Sequence, residues 1–263
     1  MNITDQKIRE EVKDRYAKIA IDNSSCCSDS NTCCNPAQSA KDKISSELGY
    51  SEEELCCVPE NSNLGLGCGN PQAIANLKVG ETVLDLGSGA GFDAFLASKA
   101  VGDSGFVIGV DMTDEMLDKA KTNALKANIT NVEFRKGLIE DLPVDDNSVD
   151  VIMSNCVINL SPEKEKVFAE SFRVLKSGGR LAISDVVASD DIPQKYKEDM
   201  RFYSGCISGA EKIGNIEKML TDVGFEKIKI TPKEESKNFI SDWFEDKEAS
   251  VFVVSATIEA IKP

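Results

Sequence analysis

Thr82-Val-Leu-Asp85-Leu-Gly87-Ser-Gly89-Ala-Gly91, residues 82–91, is the stretch that decides how this chain folds. A β-branched and apolar run enters a glycine-rich bend, and Phe92 to Ala100 continue from it with a helical pattern. Glycines after a strand let the backbone turn tightly and approach a ligand, while the next helix offers free N–H groups. The spacing is G-x-G-x-G rather than the G-x-G-x-x-G of dinucleotide sites, which weakens the claim of a pyrophosphate. Asp85, two residues ahead of the loop, attracts a cation rather than a phosphate. A second strand, Phe106–Val110, runs into Asp111, where a carboxylate can accept both hydroxyls of a ribose.

The alternation continues outward from this unit. Thr113 or Asp114 caps a helix that reaches about Asn128, and strands follow at Val132–Arg135 and Val149–Met153. Pro162 opens a long helix, EKEKVFAESFRVLK, stopped by Ser177-Gly178-Gly179, and Leu181–Val187 is a fifth strand. Residues 193–223 are helical with a break between positions 204 and 209, and two closing strands lie near Lys227–Thr231 and Val251–Ile258. Strands and helices alternating with short connections predict an α/β fold with a mainly parallel sheet covered on both faces. Upstream, residues 1–22 read as an amphipathic helix and residues 22–42 as a polar loop carrying two Cys-Cys pairs. Residues 43–60 form a short helical patch ending in a third pair, Cys56–Cys57. The expected division is an N-terminal helical and Cys-rich segment (1–71), a ligand-binding α/β unit (72–190) and a C-terminal region (191–263).

Composition narrows the chemistry. Of 263 residues, 30 are basic and 45 acidic, a net charge of −15 that repels phosphate backbones and argues against nucleic acid. There is no histidine, which removes the commonest general base and the Ser-His and Cys-His nucleophile pairs. Cysteine occurs nine times, six of them in adjacent pairs, so thiols become the expected reagents. The charged start, MNITDQKIREEVKDRY, lacks the apolar run of a signal peptide, and no apolar stretch is long enough to span a bilayer. The expectation is a cytoplasmic protein whose cysteines stay reduced.

Three cysteines stand outside the pairs: Cys68, Cys156 and Cys206. Free cysteine usually ends as a small buried hydrophobe. Here, however, Cys68 and Cys206 have glycine neighbours, and Cys156 follows the fourth strand at the edge where open α/β sheets bind ligands. Converging thiolates select soft or borderline acceptors such as zinc, copper(I) or a trivalent metalloid. A structural zinc wants four ligands, commonly with C-x2-C spacing, which these three lack. Trivalent arsenic takes three sulfurs and keeps a lone pair that is nucleophilic without removal of a proton.

The segments VLDLGSGAGFD, GVDMTDEML and VLKSGGRLAISDV resemble class I S-adenosylmethionine-dependent methyltransferases over about residues 72–190. That resemblance implies a Rossmann-like, seven-stranded sheet whose last strand is antiparallel. It places Asp85, Gly87 and Gly89 beside the methionyl moiety, with Asn155 near the same end. Asp111 is implied at the ribose, Met112 against the adenine, and Ile139, Glu140 and Asp141 in the adenine pocket. NLGLGCGNP, SNCVINLSPEKEKVFAESFRVLKSGGRLAISDV and SGCISGA further resemble the arsenite methyltransferases across essentially the whole chain. This closer resemblance implies that Cys156 and Cys206 hold arsenic, with Cys68 as third ligand. It also implies an N-terminal cysteine that forms a disulfide with Cys68 during turnover, reset by thioredoxin or glutathione. Cys26, Cys27, Cys33 and Cys34 share one polar loop where spacing singles out none, and Cys33 or Cys34 is favoured. Such an enzyme would detoxify arsenic, work as a monomer and need neither nucleic acid nor membrane. The competing readings are another class I methyltransferase of small molecules and a non-enzymatic thiol-based metalloid binder.

Overall fold

Strand β1 (Thr82–Leu86) is buried from its second residue to its last, because helices cover both faces of the sheet around it. The structure, a computed structural model, describes residues 5–21, 36–197, 199–203, 205–241 and 247–263. Along β1 the pleat separates the side chains: Leu84 and Leu86 enter one core with Ile152, Phe168, Leu181 and Leu220, while Val83 enters another with Ala94, Phe95, Val107 and Met153. The elements follow in chain order as α1 (Asp5–Ile21), α2 (Pro36–Glu47), α3 (Glu52–Cys56), α4 (Gln72–Ala75), β1, α5 (Phe92–Val101), β2 (Phe106–Asp111), α6 (Asp114–Lys126), β3 (Val132–Lys136) and β4 (Val149–Asn155). The second half comprises α7 (Lys164–Val174), β5 (Leu175–Ala188), α8 (Gln194–Lys197), α9 (Met200–Tyr203), α10 (Ile213–Val223), β6 (Glu226–Lys233), α11 (Lys237–Ile240) and β7 (Val253–Ile261).

The seven strands lie in the order β3-β2-β1-β4-β5-β7-β6. All neighbouring pairs are parallel except those made by β7, which runs antiparallel to both β5 and β6. From β1 the chain adds strands on one side, β2 and β3, and then returns to add β4 and β5 on the other. The loops after β1 and β4 therefore leave in diverging directions, and the crevice between them is where such a sheet takes its ligand.

A third apolar cluster caps that crevice. It joins Ile8 and Val12 of α1, Ile192, Tyr196, Phe202, Tyr203 and Ile207 of the α8–α9 region, Ile240 of α11, and Cys68, Cys156 and Cys206. Segments distant in sequence thus share one roof over the carboxyl ends of the strands. Helix α1 is further pinned by Arg9, which pairs with Glu140 at 3.2 Å and with Glu163, and by Lys13 with Asp114 at 3.4 Å.

Three readings from sequence need correction. Residues 36–42, expected in a polar loop, belong to α2; Pro36 stands at its first helical position, where a missing N–H costs nothing, and the downstream residues continue the helix. The fifth strand is longer than expected, starting at Leu175 directly after α7, because Leu175 already pairs with Val149 and Arg180 with Val151 across a register shift. Val251 belongs to a 3-10 turn rather than to the last strand, which starts at Val253.

Phe168 on α7 is 1 % exposed in the core beneath β4 and β5. Phe168→Ala is expected to lower the urea unfolding free energy by about 3–5 kcal/mol, whereas Leu125→Ala on the solvent face of α6 should change it by less than about 0.5 kcal/mol.

Candidate functional site

The glycine loop after β1 and the loop after β4 form opposite walls of a cavity of about 1120 Å³, counted with its open mouth. Asp85, Gly87, Gly89, Asp111, Met112, Ile139, Glu140 and Asn155, all expected from sequence at the ligand, line it, whereas Asp141, expected beside Glu140, does not. The three glycines do different work. A Cβ on Gly87 would meet Val157 at 2.5 Å, and one on Gly91 would meet Phe95 at 2.6 Å and Phe134 at 2.9 Å, so these two are needed for packing. Gly89 has only Met116 Sδ near it, at 3.9 Å, and keeps its surface bare toward the cavity. Its N–H donates to Asp111 Oδ2 at 2.9 Å, and Thr113 N–H donates to Oδ1 at 2.8 Å, which fixes the carboxylate at the end of β2.

The charge of the wall is negative where a cationic ligand would sit. Asp85 is 3 % exposed and its Oδ2 has no hydrogen-bond partner, while burial and the neighbouring Asp93 and Asp111 push its carboxyl well above the usual range. Asp93, in the first turn of α5, accepts from Tyr50 Oη at 2.7 Å and from Asn155 Nδ2 at 3.1 Å. Burial pushes its carboxyl up to about 6, partly offset by those donors. A sulfonium carrying an ammonium group fits this wall, because it brings the cationic donors that the orphaned Asp85 oxygen and its neighbours lack. Asp111 and the bare Gly89 surface fit a ribose beyond it. Glu140 is no solvated carboxylate: it accepts from Ser161 Oγ at 2.7 Å and from Arg9 Nε at 3.2 Å, which ties α1 over the cavity.

Cys156 shares this cavity and begins a second site behind it. Its Sγ, the Cys68 Sγ and an Asp185 oxygen all lie within 4.8 Å of one another, and all three residues are buried. Cys206 is not in that set but adjoins it, its Sγ donating to the Cys156 carbonyl at 3.2 Å. Both Cys156 (φ 61°) and Cys206 (φ 65°) hold left-handed backbone, a costly conformation for a residue with a Cβ and one that collects at functional sites. The Cys156 N–H donates to Ser184 O at 2.8 Å, which holds the turn. Glycine decides the approach of the other two loops. A Cβ on Gly67 would meet Asn155 Nδ2 at 2.8 Å, one on Gly69 would meet Ser184 at 3.0 Å, and one on Gly209 would strike Asn159 O at 2.0 Å. Burial pushes the Cys68 thiol up to about 11; burial also lifts the Cys156 thiol well above its ordinary value, and contact with Cys156 together with burial does so for Cys206.

Asn155 couples the two sites. Its Nδ2 faces Asp93, Tyr50 Oη at 3.0 Å and Gly69 O at 2.9 Å, while its Oδ1 accepts from the Cys68 N–H at 3.1 Å. Sequence reasoning missed Tyr50, Asp93, Asp185 and Lys164. A signal existed for two of them: Asp185 interrupts the apolar run Leu181–Ala188, and Asp93 sits one turn into the helix after the glycine loop. Cys33 and Cys34 lie outside the described residues, as do Cys26 and Cys27. Cys56 and Cys57 are exposed and do not line the cavity.

Residues 77–224 match the family model described as a methyltransferase domain. The chain is 49 % identical to an arsenite methyltransferase of Halobacterium salinarum over 98 % of its own length and 67 % of the relative's. It is 39 % identical to an arsenite methyltransferase of Aquipseudomonas alcaligenes, covering 83 % of this chain and 62 % of that one. This chain therefore spans roughly two thirds of the length of these relatives. Its structure is similar to the crystal structure of an arsenic(III) S-adenosylmethionine methyltransferase from Chlamydomonas reinhardtii, with a TM-score of 0.61 and 28 % identity over 88 % of this chain and 74 % of that one.

Two consequences can be measured. The folded Asp93 carboxyl titrates near 6 and an unfolded one near 4. The folded state therefore holds the extra proton between those values, and the stability it contributes is present below about pH 4 and lost as pH rises through 6. Between pH 4 and pH 7, ligand-free Asp93→Asn protein should lose less unfolding free energy than the parent, by on the order of 1–3 kcal/mol; superimposable pH profiles would refute this. Among the glycines, Gly91→Ala should destabilise the fold by at least about 2 kcal/mol, whereas Gly89→Ala should cost about 1 kcal/mol and chiefly weaken binding of S-adenosylhomocysteine.

Proposed function

This chain belongs to the arsenite methyltransferases within the methyltransferase-domain family, and on that footing we propose that it moves the methyl group of S-adenosylmethionine onto As(III) held by Cys68, Cys156 and Cys206. The observation that carries this reading is the position of Cys156, which lines the cofactor cavity and adjoins both other thiols. Bound S-adenosylmethionine supplies an electrophilic methyl on a sulfonium. Asp85 and Asp93 hold the cationic end of this cosubstrate, Asp111 its ribose, and Met112, Ile139 and Glu140 the adenine side. Asn155 sets the Cys68 loop against that same end, so methyl donor and thiols are aligned by one side chain.

Buried neutral thiols suit arsenous acid. As(OH)3 and three thiols give As(SR)3 and three waters, and each thiol proton leaves on a departing hydroxide. No general base is required, in keeping with the absence of histidine. The remaining task of the protein is to exclude water and aim the arsenic lone pair along the S–CH3 bond, a matter of proximity and orientation. Return of arsenic to the trivalent state takes two electrons. Oxidation of Cys68 and either Cys33 or Cys34 to a disulfide would supply them, and a thioredoxin-type protein or glutathione in a reducing cytoplasm would restore the thiols. The working division remains residues 1–71, 72–190 and 191–263, with the first and last segments supplying Cys68 and Cys206.

The test is methyl transfer from labelled S-adenosylmethionine to arsenite with pure, reduced protein. Methylated arsenicals are expected, and their absence sinks the reading. Cys156→Ser and Cys206→Ser should each lower the rate on arsenite and on methylarsenite by at least about a hundredfold, while Cys68→Ser loses arsenite methylation and keeps activity on methylarsenite.

A further inference from the structure

Asp185 is a carboxylate at 2 % exposure inside the buried end of β5, with no role in the reaction as described so far. A charge in such a place is costly unless it is paired or hydrogen-bonded. Four N–H groups hold it. Oδ2 accepts from Ile158 at 2.9 Å and Asn159 at 3.3 Å, and Oδ1 accepts from Asn159 Nδ2 at 2.9 Å and Val186 at 2.7 Å. These neutral donors fix its direction without cancelling its charge. The two backbone donors on Oδ2 belong to the turn that follows Cys156, so carboxylate and thiol are set by the same few residues. The result is a carboxylate oxygen within 4.8 Å of both Cys68 Sγ and Cys156 Sγ.

We infer that Asp185 is the counter-charge of methyl transfer, stabilising the positive charge that arrives on arsenic as the As–C bond forms. The inference rests on the function proposed above. As(SR)3 is neutral. When its lone pair forms the bond to carbon, the S–CH3 electron pair returns to sulfur as a lone pair. The products are (RS)3As–CH3 bearing one positive charge and a neutral sulfide. No proton moves and no reductant enters this step; one unit of positive charge crosses from the sulfonium to arsenic. At the donor end that charge sits against Asp85 and Asp93. Without Asp185 it would pass into an apolar pocket of cysteines, aliphatic side chains and aromatic rings. A fixed carboxylate, already oriented and shielded from water, lowers the cost of its arrival as preorganised donors do for an oxyanion, with the signs reversed.

A second buried charge acts in the opposite sense. Lys164, 8 % exposed, donates from Nζ to Ser161 O at 2.9 Å, and its Nζ lies 3.5 Å from where a Cβ on Gly209 would stand, beside the Cys206 loop. An ammonium there opposes positive charge on arsenic. It also favours the ionised form of Asp185, so the variants are compared at pH 8, above the range in which burial holds a proton on that carboxyl. The pair allows a test whose signs separate electrostatics from damage.

The experiment is a single-turnover measurement. Reduced full-length protein loaded with arsenite is mixed with excess S-adenosylmethionine and quenched, and methylated arsenic is quantified; arsenite affinity is measured separately by equilibrium dialysis. Lys164→Met, which keeps the buried volume, is expected to accelerate methyl transfer severalfold, and Asp185→Asn to slow it about a hundredfold with arsenite affinity little changed. Asp185→Glu, keeping the charge, should retain more of the rate than Asp185→Asn. An Asp185→Asn protein that transfers methyl at the parent rate, or a Lys164→Met protein no faster than the parent, overturns the inference. If Asp185→Asn loses arsenite binding, the Lys164→Met result alone decides. Failure of the parent protein to methylate arsenite is a separate outcome and falls on the proposed function.

Discussion

Much of the site depends on how the chain leaves β4. At Asn155 and Cys156 two consecutive side chains serve two different sites, and a left-handed backbone at Cys156 makes that possible. Asn155 stays with the cofactor wall, where it meets Asp93 and Tyr50, and carries the Cys68 loop on its amide oxygen. Cys156 turns toward the other thiols while its N–H remains tied to Ser184 on the neighbouring strand. Parallel pairing of β1 with β4 and of β4 with β5 fixes where this turn begins, and the divergence of strand order between β1 and β4 opens the space it faces. Strain at one residue thus places the cavity and the three lone cysteines against each other without any long loop.

The electrostatics follow from that placement. Carboxylates line the route a positive charge would travel: Asp85 and Asp93 at the donor end and Asp185 at the thiol end. Burial pushes Asp93 and Asp185 up to about 6, still below neutrality, so both carry charge under ordinary conditions. Burial lifts the thiols in the same direction, and because they start higher it keeps them protonated. A site of charged acids and neutral thiols can hold a cationic donor and an uncharged acceptor together. Because the acceptor already has its lone pair, the lack of histidine costs the chemistry nothing.

The strands around the glycine loop were legible because their physics is local. β-branched and apolar runs ending in glycine predicted β1 at Thr82–Leu86, and Asp111 marked the end of β2. The expected cofactor residues other than Asp141 line one cavity, since they sit at strand ends or in the loops just beyond. Helix α2 was misread because its start follows a Cys- and Ser-rich polar stretch. Of the roof over the site, only the amphipathic first helix and the three lone cysteines were visible. Its apolar faces on α1, α8, α9 and α11 are short or only modestly patterned, and they make sense only packed together.

The amino-acid sequence by itself determined the class of sheet, the ligand-binding loop, the exclusion of histidine chemistry and the three lone cysteines, because each is a matter of residue type and local spacing. Tertiary structure decided which charges stand beside those cysteines. Asp185 and Lys164 come from β5 and α7, and Tyr50 and Asp93 from either side of the glycine loop. Their proximity reflects strand order and loops allowed to touch by Gly67, Gly69 and Gly209. Long-range contact of this kind leaves no periodic trace along the chain. Only folding brings such groups close enough, and far enough from water, for their charges to act on one another.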